Sequence, residues 1–173
     1  GNSIGQRGQT IPGVLTHTSR NVVSGGADWG TATNIYPNVL AMVAALQADN
    51  FYGPYRMYLH PDQYIQTFAL NANTALPIVR TIEQLPGFGA GSVKASNYVT
   101  AGQGVLLNMT SDVVDLAIGQ DIAPVEWEVK GGLVVHYKVL CAEIPRIKAD
   151  ASGRSGIAHM SSIKFPARIA IGE

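Results

Sequence analysis

Charge is scarce in this chain: only 14% of its 173 residues are charged, and 12 basic side chains offset 12 acidic ones. A balanced composition excludes a protein drawn to nucleic acid by its global field, and it removes the self-repulsion that holds proteins apart. Cysteine is nearly absent. Cys141 stands alone, so no intrachain disulfide can form and a disulfide-stapled secreted scaffold is excluded. Long apolar runs are lacking too: no uninterrupted stretch approaches the roughly 20 residues that a membrane-spanning helix needs. The first residues carry neither an initiator Met nor the charged-then-apolar pattern of a signal peptide. A polar, glycine-containing start from Gly1 to Thr10 is what a trimmed, processed or fragmentary chain would present. What is abundant is hydrophobicity, at 46% of residues, a balance suited to burying surface against neighbours as well as within the chain.

Residues 1–33 are rich in Gly, Thr, Ser and Asn and read as irregular, touching the core at Ile11–Leu15. A helix is predicted over Asn34–Asp49, with Asn34 as N-cap and Val39, Met42, Val43 and Leu46 at helical spacing. Gly53-Pro54 ends it. Tyr55–Leu59 alternates as a strand. Pro61–Asn71 reads as a helix with Tyr64, Ile65, Phe68 and Ala69 on its apolar face, and Ala75–Leu85 as another with Ile78, Ile82 and Leu85 together. Val105–Leu107 and Val113–Ile118 are expected to pair with one another. Val125–Lys130 and Leu133–Ile147 form a hairpin across Gly131-Gly132. The polar stretch from Ala149 ends in a short alternating segment, Ile163–Ile171. Helices flanked by strands, with long antiparallel strands late, make a mixed α+β protein.

The search for chemistry returns little. His17, His60, His136 and His159 have no second ligand at a metal-binding spacing. Gly87-Phe88-Gly89-Ala90-Gly91-Ser92 lacks the preceding strand and Gly-Lys-Ser/Thr ending of a phosphate loop and reads as a turn. Cys141, beside Val139 and Leu140, reads as a buried packing residue rather than a nucleophile. Asp112, Asp115 and Asp121 fit no calcium loop. No catalytic, cofactor-binding or metal-ligating residue is assigned, and the expectation is a non-enzymatic protein with no cofactor.

Two segments carry a resemblance. Asn50–Tyr64, NFYGPYRMYLHPDQY, is similar to a segment of encapsulins and related HK97-fold shell proteins, where a Gly-Pro-Tyr turn leads into a strand and a Pro opens the next helix. Leu116–Ile122, LAIGQDI, resembles the Gly-Gln-Asp strand motif of the same proteins, and Ile11–Leu15 is a weaker third match. The resemblance covers about Ile11 to Ile147. It implies an HK97-like capsid fold with an A-domain at 51–123 and a partial P-domain at 1–50 and 124–173. The N-terminal arm, E-loop and spine helix would all precede Ile11.

By resemblance, the chain is expected to be a structural shell subunit, or a C-terminal fragment of one, from a tailed phage or prophage. Such a subunit would be placed in the virion and assembled in the host cytoplasm. It would associate with itself into capsomers and an icosahedral shell, touching packaged DNA only indirectly and neither membrane nor small-molecule substrate. An encapsulin-like compartment shell is the alternative, and the tail beyond Ala149 tilts the reading towards phage. A small α+β ligand-binding domain or enzyme is the alternative of another class. Without the preceding elements, the chain is expected to form a monomer or small oligomer rather than closed shells, with Ile11, Val14, Val39 and Val43 near the contact.

Overall fold

The structure is a computed structural model; it describes residues 4–6, 9–11, 13–24, 28–71, 74–129, 131–132, 134–161 and 163. Strands β1 (Ile4–Gln6) and β2 (Gln9–Ile11) form a short antiparallel pair. The body is a mixed five-stranded sheet of β3 (Asn21–Ser24), β4 (Tyr55–Leu59), β5 (Val93–Ala95), β6 (Gly104–Asn108) and β9 (Ile157–Ser161), in the order β3-β9-β6-β4-β5. The outer pairs, β3–β9 and β4–β5, are parallel, and the inner pairs antiparallel. Between β6 and β9 lie β7 (Val114–Val129) and β8 (Val134–Ile147), which pair only with each other among the described residues.

Three helices accompany the sheet: α1 (Ile35–Ala48), α2 (Pro61–Gln66) and α3 (Ile78–Glu83). Helix α1 buries Ile35, Val39, Met42, Val43 and Leu46 against the sheet, as its spacing predicts. Asn34 precedes it, but its side chain donates to the Asp28 carbonyl at 2.9 Å instead of capping the helix. Period-two alternation then divides the sheet. Tyr55, Met57, Leu59, Leu106, Ala158 and Met160 join α1 and α3 in the main core. Val105, Leu107 and Ile157 meet Leu15 and Val113 in a second cluster on the opposite face. Both faces of β6 are thus covered, and every one of its residues is buried.

Several expectations are corrected. Residues 1–33 are not wholly irregular, since they include β1, β2 and β3, and β3 owes its place to a parallel partner at the far end of the chain. Val105–Leu107 does not pair with the Val113 segment: Thr110–Val113 is a tight turn, after which β7 leaves the sheet, while β6 finds β4 and β9. The stretch after Ala149 supplies β9 at the heart of the sheet, and of the alternating stretch 163–171 only Ile163 lies within the described residues. Helix α1 does not lack cover, because Val39 and Val43 are buried inside the chain rather than offered to a partner. Helices α2 and α3 are shorter than the spans 61–71 and 75–85, as turns at Thr67–Ala69 and Gln84 end them.

Candidate self-association surface

Helix α2 is built inside out. His60 is its N-cap, with Nδ1 accepting from the Asp62 N–H at 3.3 Å, and Pro61 fills the first turn where a missing N–H costs nothing. The short helix is tied down through Thr67, whose hydroxyl donates to the Tyr64 carbonyl at 2.6 Å and whose own carbonyl accepts from the Val79 N–H at 2.8 Å. This pins Gln63 and Thr67 inward, each 0% exposed, and turns Ile65 (67%) and Phe68 (51%) to the outside. Of the apolar face predicted to meet the core, Tyr64 packs against it, while Ile65, Phe68 and Ala69 face away. Leu70 and Leu76, flanking a loop pinched by a Leu70–Pro77 bridge, are also exposed. The Gln63 amide is buried with neither Nε2 nor Oε1 hydrogen-bonded among the described residues, a costly arrangement.

The β7–β8 ribbon is the second unusual surface. Its base is anchored where Val114 and Ile147 pack on the second core cluster and where the Asp115 carboxylate takes a bidentate pair from Arg146 at 3.0 and 2.6 Å, with Lys148 Nζ at 2.7 Å. Those two cations hold the Asp115 carboxyl well below the usual carboxylate range. Beyond the base the ribbon is exposed on both sides. The register places Val129 with Val134, Trp127 with His136 and Val125 with Lys138 on one face, and Glu128 with Val135, Glu126 with Tyr137 and Pro124 with Val139 on the other. Neither face is polar throughout, unlike a hairpin designed to sit in water. Trp127 and His136 stack at 5.4 Å, and Tyr137 and Val139 remain 72% and 68% exposed. The register shifts between Ile118 and Ala123, so the Gly-Gln-Asp segment is an irregularity in the ribbon.

The residues weighed for chemistry do not converge. Among the described residues no three His, Cys, Asp or Glu side chains are grouped to hold a metal ion. His17 Nδ1 accepts from the Ser19 N–H, His136 lies on the ribbon, and His159 is buried in the sheet. Cys141 is exposed on β8, a correction to its expected burial, because the alternation that looked like core packing belongs to a ribbon with no layer over it. A hydrogen bond with Glu143 raises the Cys141 thiol pKa, the opposite of activation. Gly87–Ser92 is a turn whose Gly87 carbonyl accepts from the Tyr55 N–H at 2.7 Å. No helix of the described residues is long and apolar enough to cross a membrane.

What the sequence missed is the outward set: Ile65 and Phe68 at α2, Leu70 and Leu76 beside the Leu70–Pro77 bridge, and Trp127, Tyr137 and Val139 on the two faces of the ribbon. The one signal available was the polar Gln63 and Thr67 sharing a helical face four residues apart.

Residues 4–137 match the family described as "Encapsulating protein for peroxidase". The chain is 25% identical over 138 residues to a diheme-cytochrome-encapsulin shell fusion protein of Kuenenia stuttgartiensis, a match covering 80% of this chain and 37% of that protein. It is 27% identical over 110 residues to a type 1 encapsulin shell protein of Myxococcus xanthus, covering 64% of this chain and 37% of the relative. The chain thus spans little more than a third of the length of these curated relatives. In fold it is similar to a virus-like particle from Pyrococcus furiosus, with a TM-score of 0.63 at 17% identity over 86% of this chain and 58% of the other. A Mycobacterium phage Che8 chain gives 0.55 at 12% identity, covering 86% and 56%. The fold is the mixed α+β fold of HK97-type shells, and with the family match running over most of its length the chain belongs to the encapsulating-protein family.

Proposed function

We propose that this chain is a structural shell subunit, or the part of one that carries the apolar contacts, and that it associates with copies of itself to enclose a compartment. The observation that carries this reading is the reversal of α2, which keeps Gln63 and Thr67 inside while Ile65 and Phe68 face outward. Exposed apolar side chains clustered on one surface find a partner, and a ribbon with two mixed faces offers another contact of different shape. Two unlike surfaces on one molecule fit heterologous packing around an axis, the geometry that closes rings and shells. The role is structural rather than enzymatic, with no small-molecule substrate. On this reading residues 51–123 form an A-domain and residues 1–50 and 124–173 contribute to a P-domain, with the five-stranded sheet joining strands from both.

Family membership favours a compartment shell, and the family's description implies a protein cargo. A phage or prophage capsid, placed in the virion, is the second reading. The specific observation on its side is the fold likeness to the phage Che8 chain.

The test compares the protein with its Ile65→Asp/Phe68→Asp variant by sedimentation velocity and electron microscopy. The protein is expected to associate as concentration rises. The variant should stay smaller while still folding, since neither side chain is buried in the core, with its unfolding midpoint lowered only by the loss of the edge-on Tyr64–Phe68 ring contact. A protein that remains monomeric at every concentration, like its variant, would sink the reading.

A further inference from the structure

On the sheet face opposite α1 lies an apolar groove of about 280 Å³, walled by Leu15, Tyr58, Val99, Val105, Leu107 and Met109. A cavity of roughly 150 Å³ accepts a benzene ring, so this one has room for a phenyl ring with an aliphatic branch beside it. We propose that its occupant is helix α2 of a second copy, with the turn that follows it, inserting Ile65 and Phe68. The inference rests on the shell reading, because it names the partner of the surface that carries that reading.

Shape is the first argument. Ile65 and Phe68 stand side by side on the outer surface, joined by the Phe68 N–H donating to the Ile65 carbonyl at 3.1 Å. The Phe68 ring is braced by an edge-on contact with Tyr64, its centroid 5.2 Å away, so the pair forms an apolar knob. The groove is the complementary hollow. It offers almost no polar group to a ligand that needs one, but it offers burial to apolar side chains. A contact between two unlike surfaces runs head to tail from copy to copy.

Charge is the second. The register of β4 sets Arg56 beside Leu107 and Lys94 beside Tyr58, on the groove's own face of the sheet. Both cations are exposed, and neither forms an ion pair among the described residues. The knob carries the opposite sign. Asp62 lies three residues before Ile65, on the same side of α2, with its side chain 64% exposed. Its neighbour His60 accepts the Asp62 N–H through Nδ1 and brings no compensating charge. Seating the knob in the groove sets Asp62 at a rim that holds two cations. Such exposed pairs add little affinity, but they fix orientation and penalise a reversed one.

Sedimentation velocity on the full chain and its variants tests it. Ile65→Asp/Phe68→Asp removes the knob, and Tyr98→Asp/Met109→Asp spoils the groove at two exposed side chains. Each variant alone should associate about tenfold more weakly than the unaltered chain. Mixed in equal amounts, the two should form a pair that grows no further, because one intact knob and one intact groove remain between them. That pairing also shows that both variants fold. A groove variant that associates as well as the unaltered chain overturns the docking and leaves the shell reading in place, and so does a mixture of folded variants that never pairs. A second set changes only charge: Arg56→Glu/Lys94→Glu should weaken association severalfold, and adding Asp62→Lys should restore it. Absence of that rescue also overturns the proposed contact. An unaltered chain that stays monomeric at every concentration sinks the shell reading and this inference with it.

Discussion

Gly53 and Gly87 are one device, separated in the sequence and pressed together in space. Both have positive φ, 107° and 86°. A Cβ on Gly53 would stand 2.9 Å from the Gly87 Cα, and one on Gly87 would stand 2.7 Å from the Tyr55 ring. Gly53 lacks room for a side chain because the Gly87 backbone lies against it, and Gly87 because the Tyr55 ring and the Tyr52 carbonyl do. His159 is a residue of another kind. It is buried on β9 with Nδ1 accepting from Arg20 Nε at 3.3 Å and Nε2 lying 3.3 Å from Gln103 Oε1. Burial and then the Arg20 charge hold its pKa below the ordinary imidazole value. The unfolded chain therefore binds the proton more readily than the folded one. The resulting stability is complete at higher pH and is lost as pH falls through about 6.5 towards the folded value. His159→Gln keeps an acceptor and a donor but cannot titrate. Urea unfolding across this range should show a smaller loss on acidification in the variant, and parallel pH profiles would refute the assignment.

At the scale of elements, amphipathic pattern and environment part company twice. In α2 the apolar stripe was legible, but which side of it met the core was not. Thr67 and Gln63 took the inside because α2 is pinned there through the Thr67–Val79 backbone bond. In the ribbon, alternation predicted strands correctly, yet a period of two cannot tell a covered sheet from a bare pair of strands. An isolated two-stranded ribbon of 16 and 14 residues is only marginally ordered in water. Amide exchange of the unassociated chain should be slowest in β6 and fastest around Ala123–Val129 and Val134–Lys138, with the ribbon gaining protection once copies associate. Equal protection of β6 and the ribbon tip in the monomer would show that the ribbon needs no partner.

For the whole molecule, equal numbers of acidic and basic groups leave little long-range field to guide or oppose encounter. Association through Ile65, Phe68 and the ribbon should accordingly rest on apolar burial. Raising sodium chloride should not weaken it, and sulfate should strengthen it. Light scattering at matched concentration checks this, and dissociation with rising sodium chloride would point to ion pairs across the contact instead.

The sequence by itself determined the local elements: α1, the strand Tyr55–Leu59, the hairpin across Gly131-Gly132, the α+β class and the shell-family resemblance. Each rests on spacing within a short window or on a short motif, where the chemistry of neighbours decides. Only the tertiary structure decided that Asn21–Ser24 and Ile157–Ser161 pair in parallel from opposite ends of the chain, that β6 lies between β4 and β9, and that Cys141, Ile65 and Phe68 face outward. These depend on which distant segments meet. A sequence read through local periodicity carries the shape of each piece but not the contacts that distinguish an inside from an outside.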